Sequence, residues 1–100
     1  MNDGLTPKNR EEIRAILAKF ACVDRALLFG SRATGTLSRA SDIDLALEGE
    51  NLDLSDVLSL RGEFAESSLP YEVDLVIRSE IVNPELEKRI KKQGTMIYEK

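Results

Sequence analysis

The sequence has 100 residues, 42% of them hydrophobic, which points to one compact domain over residues 1–100, since a chain this short surrounds a single core. Eighteen acidic against fourteen basic residues leave a net charge of −4, which disfavours a broad electrostatic grip on nucleic acid phosphates. With no histidine and one cysteine, Cys22, the chain excludes Ser-His-Asp and Cys-His hydrolases and any His-ligated zinc site, so catalysis must rest on carboxylates. Cys22 follows Phe20 and Ala21 and reads as a buried structural thiol. The opening MNDGLTPKNREE lacks the apolar stretch of a signal peptide, and runs such as Ala26–Phe29 are too short to cross a membrane. A soluble, cytoplasmic protein is the expectation.

Thr6-Pro7 reads as N-cap and first helical residue, and Ile13, Ile16, Leu17 and Phe20 fall on one face of a helix running to about Ala21. Ala26–Phe29 is a short apolar strand stopped by Gly30, and residues 31–40 suit a loop or a short helix. Asp42 to Glu48 alternates strictly, with Ile43, Leu45 and Leu47 on one face and Asp42, Asp44, Ala46 and Glu48 on the other, as in a half-buried strand. Asp53 and Asp56 open a second long helix over roughly 54–68, with Leu54, Val57, Leu58, Phe64 and Ala65 on its stripe and Pro70 beyond its end. Val73, Leu75 and Ile77 alternate with Asp74, Val76 and Arg78 in the next strand. Asn83-Pro84 starts a final helix closing at Gly94, and Thr95–Tyr98 fits a last short strand. This order predicts an α+β fold, a small mixed sheet with helices packed on one apolar face and the opposite face left for chemistry.

Residues of equal parity in a strand share a face, so Asp42 and Asp44 project together, about 6.6 Å apart along the strand. Asp74 joins them if its strand is a neighbour, since Val73, Leu75 and Ile77 take the core face. At about 4 Å each like-charge pair costs on the order of 4 kcal/mol at an effective dielectric near 20, so the cluster calls for a cation. All-oxygen ligands favour magnesium or manganese over zinc, and magnesium completes its shell with water and phosphates, which makes a nucleotide the natural substrate class. Gly30-Ser31 at the end of the first strand permits close backbone approach and offers a hydroxyl and an N–H to a phosphate. Arg32 and Arg39 lie in the same connection, but nothing in the spacing fixes their direction.

Leu28-Phe29-Gly30-Ser31, ten residues, then Asp42-Ile43-Asp44-Leu45 resembles the G-S-x10-D-x-D signature of the minimal nucleotidyltransferase (MNT) family, within the DNA polymerase β-like superfamily. Asp74 matches the family's third carboxylate. The resemblance covers nearly the whole chain and implies the nucleotidyltransferase fold. It also implies roles: Asp42 and Asp44 hold two magnesium ions, Gly30 and Ser31 hold the triphosphate, and Asp74 joins the metal site and helps activate the acceptor hydroxyl. The smallest members resemble MntA-type antitoxins of HEPN–MNT toxin–antitoxin modules. That implies a hetero-oligomer with a helical HEPN-family ribonuclease toxin, and transfer of AMP from ATP to a tyrosine of the toxin.

Beside this stand blander readings. An alternating strand with one solvated face explains Asp42 and Asp44 alone; the upstream Gly-Ser and the matched parity of Asp74 tip the balance to a metal site. Lys88-Arg89-Ile90-Lys91-Lys92 reads as cations complementing a helix C-terminus rather than a nucleic-acid patch, and Tyr98 as packing. Two functional readings remain: an active transferase, and an inactive nucleotide-binding antitoxin that neutralises its toxin by complex formation only. Transfer to an RNA end or a small molecule requires acceptor-binding elements that the sequence does not display.

Overall fold

The computed structural model describes residues 5–29, 43–69 and 71–100. Helix α1 spans Pro7–Ala18, strand β1 Arg25–Phe29, strand β2 Ile43–Glu48, helix α2 Leu54–Ala65, strand β3 Val73–Ile77, helix α3 Pro84–Gln93 and strand β4 Thr95–Glu99, with a 3-10 turn at Arg78–Glu80. The four strands form one sheet in the order β3-β2-β1-β4. β1 runs antiparallel to β2 and β4, while β2 and β3 are parallel.

Local chemistry starts the helices as the sequence predicts. The Thr6 hydroxyl accepts the Asn9 N–H, Asn9 returns a bond to the Thr6 N–H, and Pro7 takes the first helical position. Asp53 and Asp56 make the same reciprocal box for α2. Each such cap supplies about 1 kcal/mol. Both helices end three residues before the predicted limits. After α1 the Lys19 and Phe20 amides bond to the Ile16 and Leu17 carbonyls and turn the chain, which keeps Phe20 against the core without helical backbone. After α2 the Ser67 hydroxyl donates to the Phe64 carbonyl and caps the end.

The main core lies between α1 and α2 and one face of the sheet. Ile13, Ile16, Leu17, Val57, Leu60 and Phe64 meet Leu28, Ile43, Leu45, Leu47, Leu75 and Ile77, the alternate residues of three strands. β4 completes this face with Ile97 at a bulge opposite Ala26 and Leu27, and the Arg14 Nε donates to the Ile97 carbonyl at 2.9 Å. Tyr98 packs against the same core, as expected.

The single helical layer holds for α1 and α2 but not for α3. Ile90 of α3 is buried with Phe29 and Ala46, flanked by Leu27, Val76, Ile81 and Leu86, so α3 covers the middle of the opposite face. Among the described residues, no helix is long and apolar enough to cross a membrane.

Candidate active site

Strand pairing arranges the second sheet face in three rungs. The first is Phe29, Asp44 and Asp74, the second Leu27, Ala46 and Val76, and the third joins Arg25 to Glu48, with Arg78 just beyond β3. Asp44 and Asp74 are Cα register partners of adjacent parallel strands, which lie about 4.8 Å apart. Parity gives both carboxylates the same face. The pairing that the sequence left conditional is therefore present, held in part by the Ile43 N–H donating to the Glu72 carbonyl at 2.9 Å. Asp44 is half-buried and Asp74 exposed at the sheet edge.

The other sequence-predicted site residues, Gly30, Ser31 and Asp42, lie outside the described residues, as do Arg32 and Arg39. Phe29, immediately before Gly30, is the Cα partner of Asp44, so β1 ends beside the carboxylate pair. Among the described residues no group of three or more metal-binding side chains occurs. Asp44 and Asp74 supply two oxygen donors on one face with no histidine in the chain, and this donor set fits a hard divalent cation such as magnesium. A depression of about 480 Å³ lined by Arg61, Phe64, Leu69, Tyr71 and Asp74 opens beside β3, the edge strand of the sheet among the described residues. A larger one, about 640 Å³ between α1 and β4, lies at the other edge of the sheet, away from the pair.

The third rung is an ion network that sequence reasoning missed. Glu48 takes Arg25 at 2.7 Å and Arg78 at 2.6 Å, and Arg78 also reaches Glu87 of α3 at 3.1 Å. Hydrogen bonds to Glu48, then to Glu87, hold the Arg78 guanidinium above its ordinary pKa. The network ties α3 to the sheet at the end opposite the acidic rung. Lys91 and Lys92 occupy the last turn of α3, in keeping with the dipole reading. Cys22 is half-buried rather than fully enclosed; burial, with a hydrogen bond to Asp56, pushes its thiol pKa up.

A family model described as polymerase beta, nucleotidyltransferase, matches residues 11–100. The search of curated proteins found no match. Among solved structures, a toxin–antitoxin with AMP-PNP is 30% identical, with a TM-score of 0.76 over 92% of this chain and 74% of that chain. The toxin–antitoxin MntA–HepT is 25% identical, with a TM-score of 0.70 over 95% of this chain and 74% of that chain. A rebuilt structure of tri-AMPylated Shewanella oneidensis HEPN toxin in complex with MNT antitoxin is 25% identical, with a TM-score of 0.69 over 93% of this chain and 71% of that chain. The mixed sheet, the carboxylate register and a family match reaching from α1 to the end of β4 agree: the chain belongs to the polymerase β-like nucleotidyltransferase family.

Proposed function

We propose that this chain, a single MNT domain, is the antitoxin of a HEPN–MNT module and transfers AMP from ATP to a hydroxyl, a tyrosine side chain, of its HEPN-family partner. The observation that carries the reading is the register of Asp44 with Asp74 beside the end of β1. Similarity to toxin–antitoxin structures, one with AMP-PNP and one with an AMPylated toxin, supports it.

In this scheme Asp42, Asp44 and Asp74 would hold two magnesium ions, which would neutralise triphosphate charge and acidify the acceptor hydroxyl. Gly30 and Ser31 bind the triphosphate through backbone N–H and hydroxyl groups. The acceptor oxygen attacks the α-phosphorus, the bond to the bridging oxygen breaks, and pyrophosphate leaves. Asp74 takes the hydroxyl proton, from a position at the sheet edge that a separate protein can approach. Partner docking supplies the orientation that otherwise accounts for roughly 7–11 kcal/mol of such a barrier.

Intact-mass analysis of the HEPN protein co-expressed with this chain tests the proposal. Mass increments of AMP units with wild type, absent with Asp44→Asn, support it. A partner bound and silenced but never modified would leave neutralisation by complex formation as the function.

A further inference from the structure

Among the described residues, helix α3 meets the acidic rung at Phe29. Phe29 is 7% exposed and Ile90 1%, and the two are buried together with Ala46 in a cluster separate from the main core. Phe29 is also the Cα partner of Asp44 in the antiparallel β1–β2 pair. Side chains so paired sit on one face with Cβ atoms about 4.5–5.5 Å apart, so the place of the Phe29 ring limits where the Asp44 carboxylate can lie.

We propose that Ile90 is a positioning residue for nucleotide binding, acting through Phe29 to hold Asp44 in place. The inference rests on the function proposed above. Interiors are packed closely enough that a side chain is fixed by its neighbours, and among the described residues Phe29 is buried with Ile90 and Ala46 in a small cluster. Ile90 fills the side facing α3, while the Gly94 amide donates to the Ile90 carbonyl at 2.8 Å and fixes that turn of backbone. Truncating Ile90 opens space into which the ring can swing, and the Asp44 carboxylate then has a displaced neighbour on its own rung. The Arg78–Glu87 contact still keeps α3 on the sheet, so the disturbance is local to the rung.

The test compares Ile90→Ala with Ile13→Ala in the full chain. Both isoleucines are fully buried, but Ile13 lies in the main core on the other sheet face. Affinity for AMP-PNP with magnesium is measured by calorimetry under conditions where urea melts report both variants folded. Ile90→Ala should weaken binding by about tenfold or more, the scale of effect expected when a binding group is misplaced, while Ile13→Ala leaves it unchanged. Ile90→Val should fall between Ile90→Ala and wild type. Equal losses in both alanine variants, or none in either, overturn the inference and leave the proposed function intact. Wild type unable to bind AMP-PNP sinks the proposed function and the inference with it. Should Ile90→Ala not fold, Ile90→Val against Ile13→Val decides by the same criterion.

Discussion

Arg78 donates to Glu48 at 2.6 Å and to Glu87 at 3.1–3.2 Å, so one guanidinium joins β2 to α3 at the end of the sheet face away from Asp44 and Asp74. Its side chain and that of Glu48 are mostly shielded, 25% and 20% exposed, so the pair resists salt screening better than an open surface bridge. Arg78→Leu should cost about 1–3 kcal/mol in urea melts, because Glu48 and Glu87 lose charge-assisted bonds. AMP-PNP affinity should change far less than stability, since Ile90 still seats α3. The raised pKa of Arg78, set by its bonds to the Glu48 and Glu87 carboxylates, means its contribution is fully present around neutral pH and is lost on the alkaline side only as pH rises through the folded value in strong alkali. The mutant's deficit should therefore be the same at pH 6 as at pH 8, and a deficit that varies between them would count against the assignment.

Asp74→Asn should separate chemistry from folding. Asp74 is exposed at an edge strand, and surface substitutions of this kind fall within about 0.5 kcal/mol. The thermal midpoint should hold, and nucleotide and partner binding should persist. Single-turnover AMP transfer should fall by about 10²–10⁴-fold, the range of a lost general base. Full turnover in this variant would remove Asp74 from the reaction.

The sequence made one part of this site legible because strand parity is rigid. Once β2 and β3 are recognised, Asp44 and Asp74 must leave the core on which Leu45 and Leu75 pack. That the two strands are neighbours is a non-local fact, settled by the pairing of Ile43–Leu47 with Val73–Ile77 and by no local signal. The place of α3 was hidden for a similar reason. Leu86 and Ile90 mark an apolar stripe, but a stripe does not say which sheet face it meets, and the apolar Phe29, Ala46 and Val76 on the second face are visible only after pairing. The Glu48–Arg78 network shared that obscurity: the sequence shows each residue only as an alternating position of its own strand, and the pairing of β2 with β3 brings them together. Helix ends were overestimated where an apolar residue such as Phe20 keeps its core contact after helical backbone has stopped.

The Glu12 carboxylate accepts the Ser68 N–H at 2.8 Å and the Ser68 hydroxyl at 2.7 Å, tying α1 to the chain after α2. These two bonds, with a smaller attraction from Lys8, hold its pKa below the usual glutamate value. A depressed folded pKa means the stabilisation is present above the unfolded value of 4.5 and lost as pH falls through the folded one. Ser68→Ala removes the hydroxyl bond, so its deficit relative to wild type should be constant near neutrality and shrink on acidification below the unfolded value. Melts from pH 7 down to pH 3 would record this, and a deficit that grows with acid would contradict it.

Two glycines should respond oppositely to alanine. Gly62 lies within α2, and a Cβ built there meets no atom within 4 Å. Glycine loses more backbone entropy than alanine on entering a helix, by about 0.5–1 kcal/mol, so Gly62→Ala should stabilise by that amount and raise the melting temperature by roughly 2–8 °C. Gly49 follows β2 where the chain after α1 crosses close to it, and the Asp24 N–H donates to the Glu48 carbonyl at 2.8 Å. A Cβ at Gly49 would lie 2.0 Å from the Cys22 carbonyl oxygen, a backbone atom that cannot rotate away. Relieving that overlap requires the crossing to open, at about 1–3 kcal/mol for forced packing, so Gly49→Ala should lower the melting temperature. The displaced Cys22 should also alkylate faster with iodoacetamide, because opening the crossing removes the burial that keeps its thiol protonated. Measured together, a stabilised Gly62→Ala and a destabilised, more thiol-reactive Gly49→Ala would verify the packing at both places; a Gly49→Ala as stable as wild type would mean the close approach does not exist.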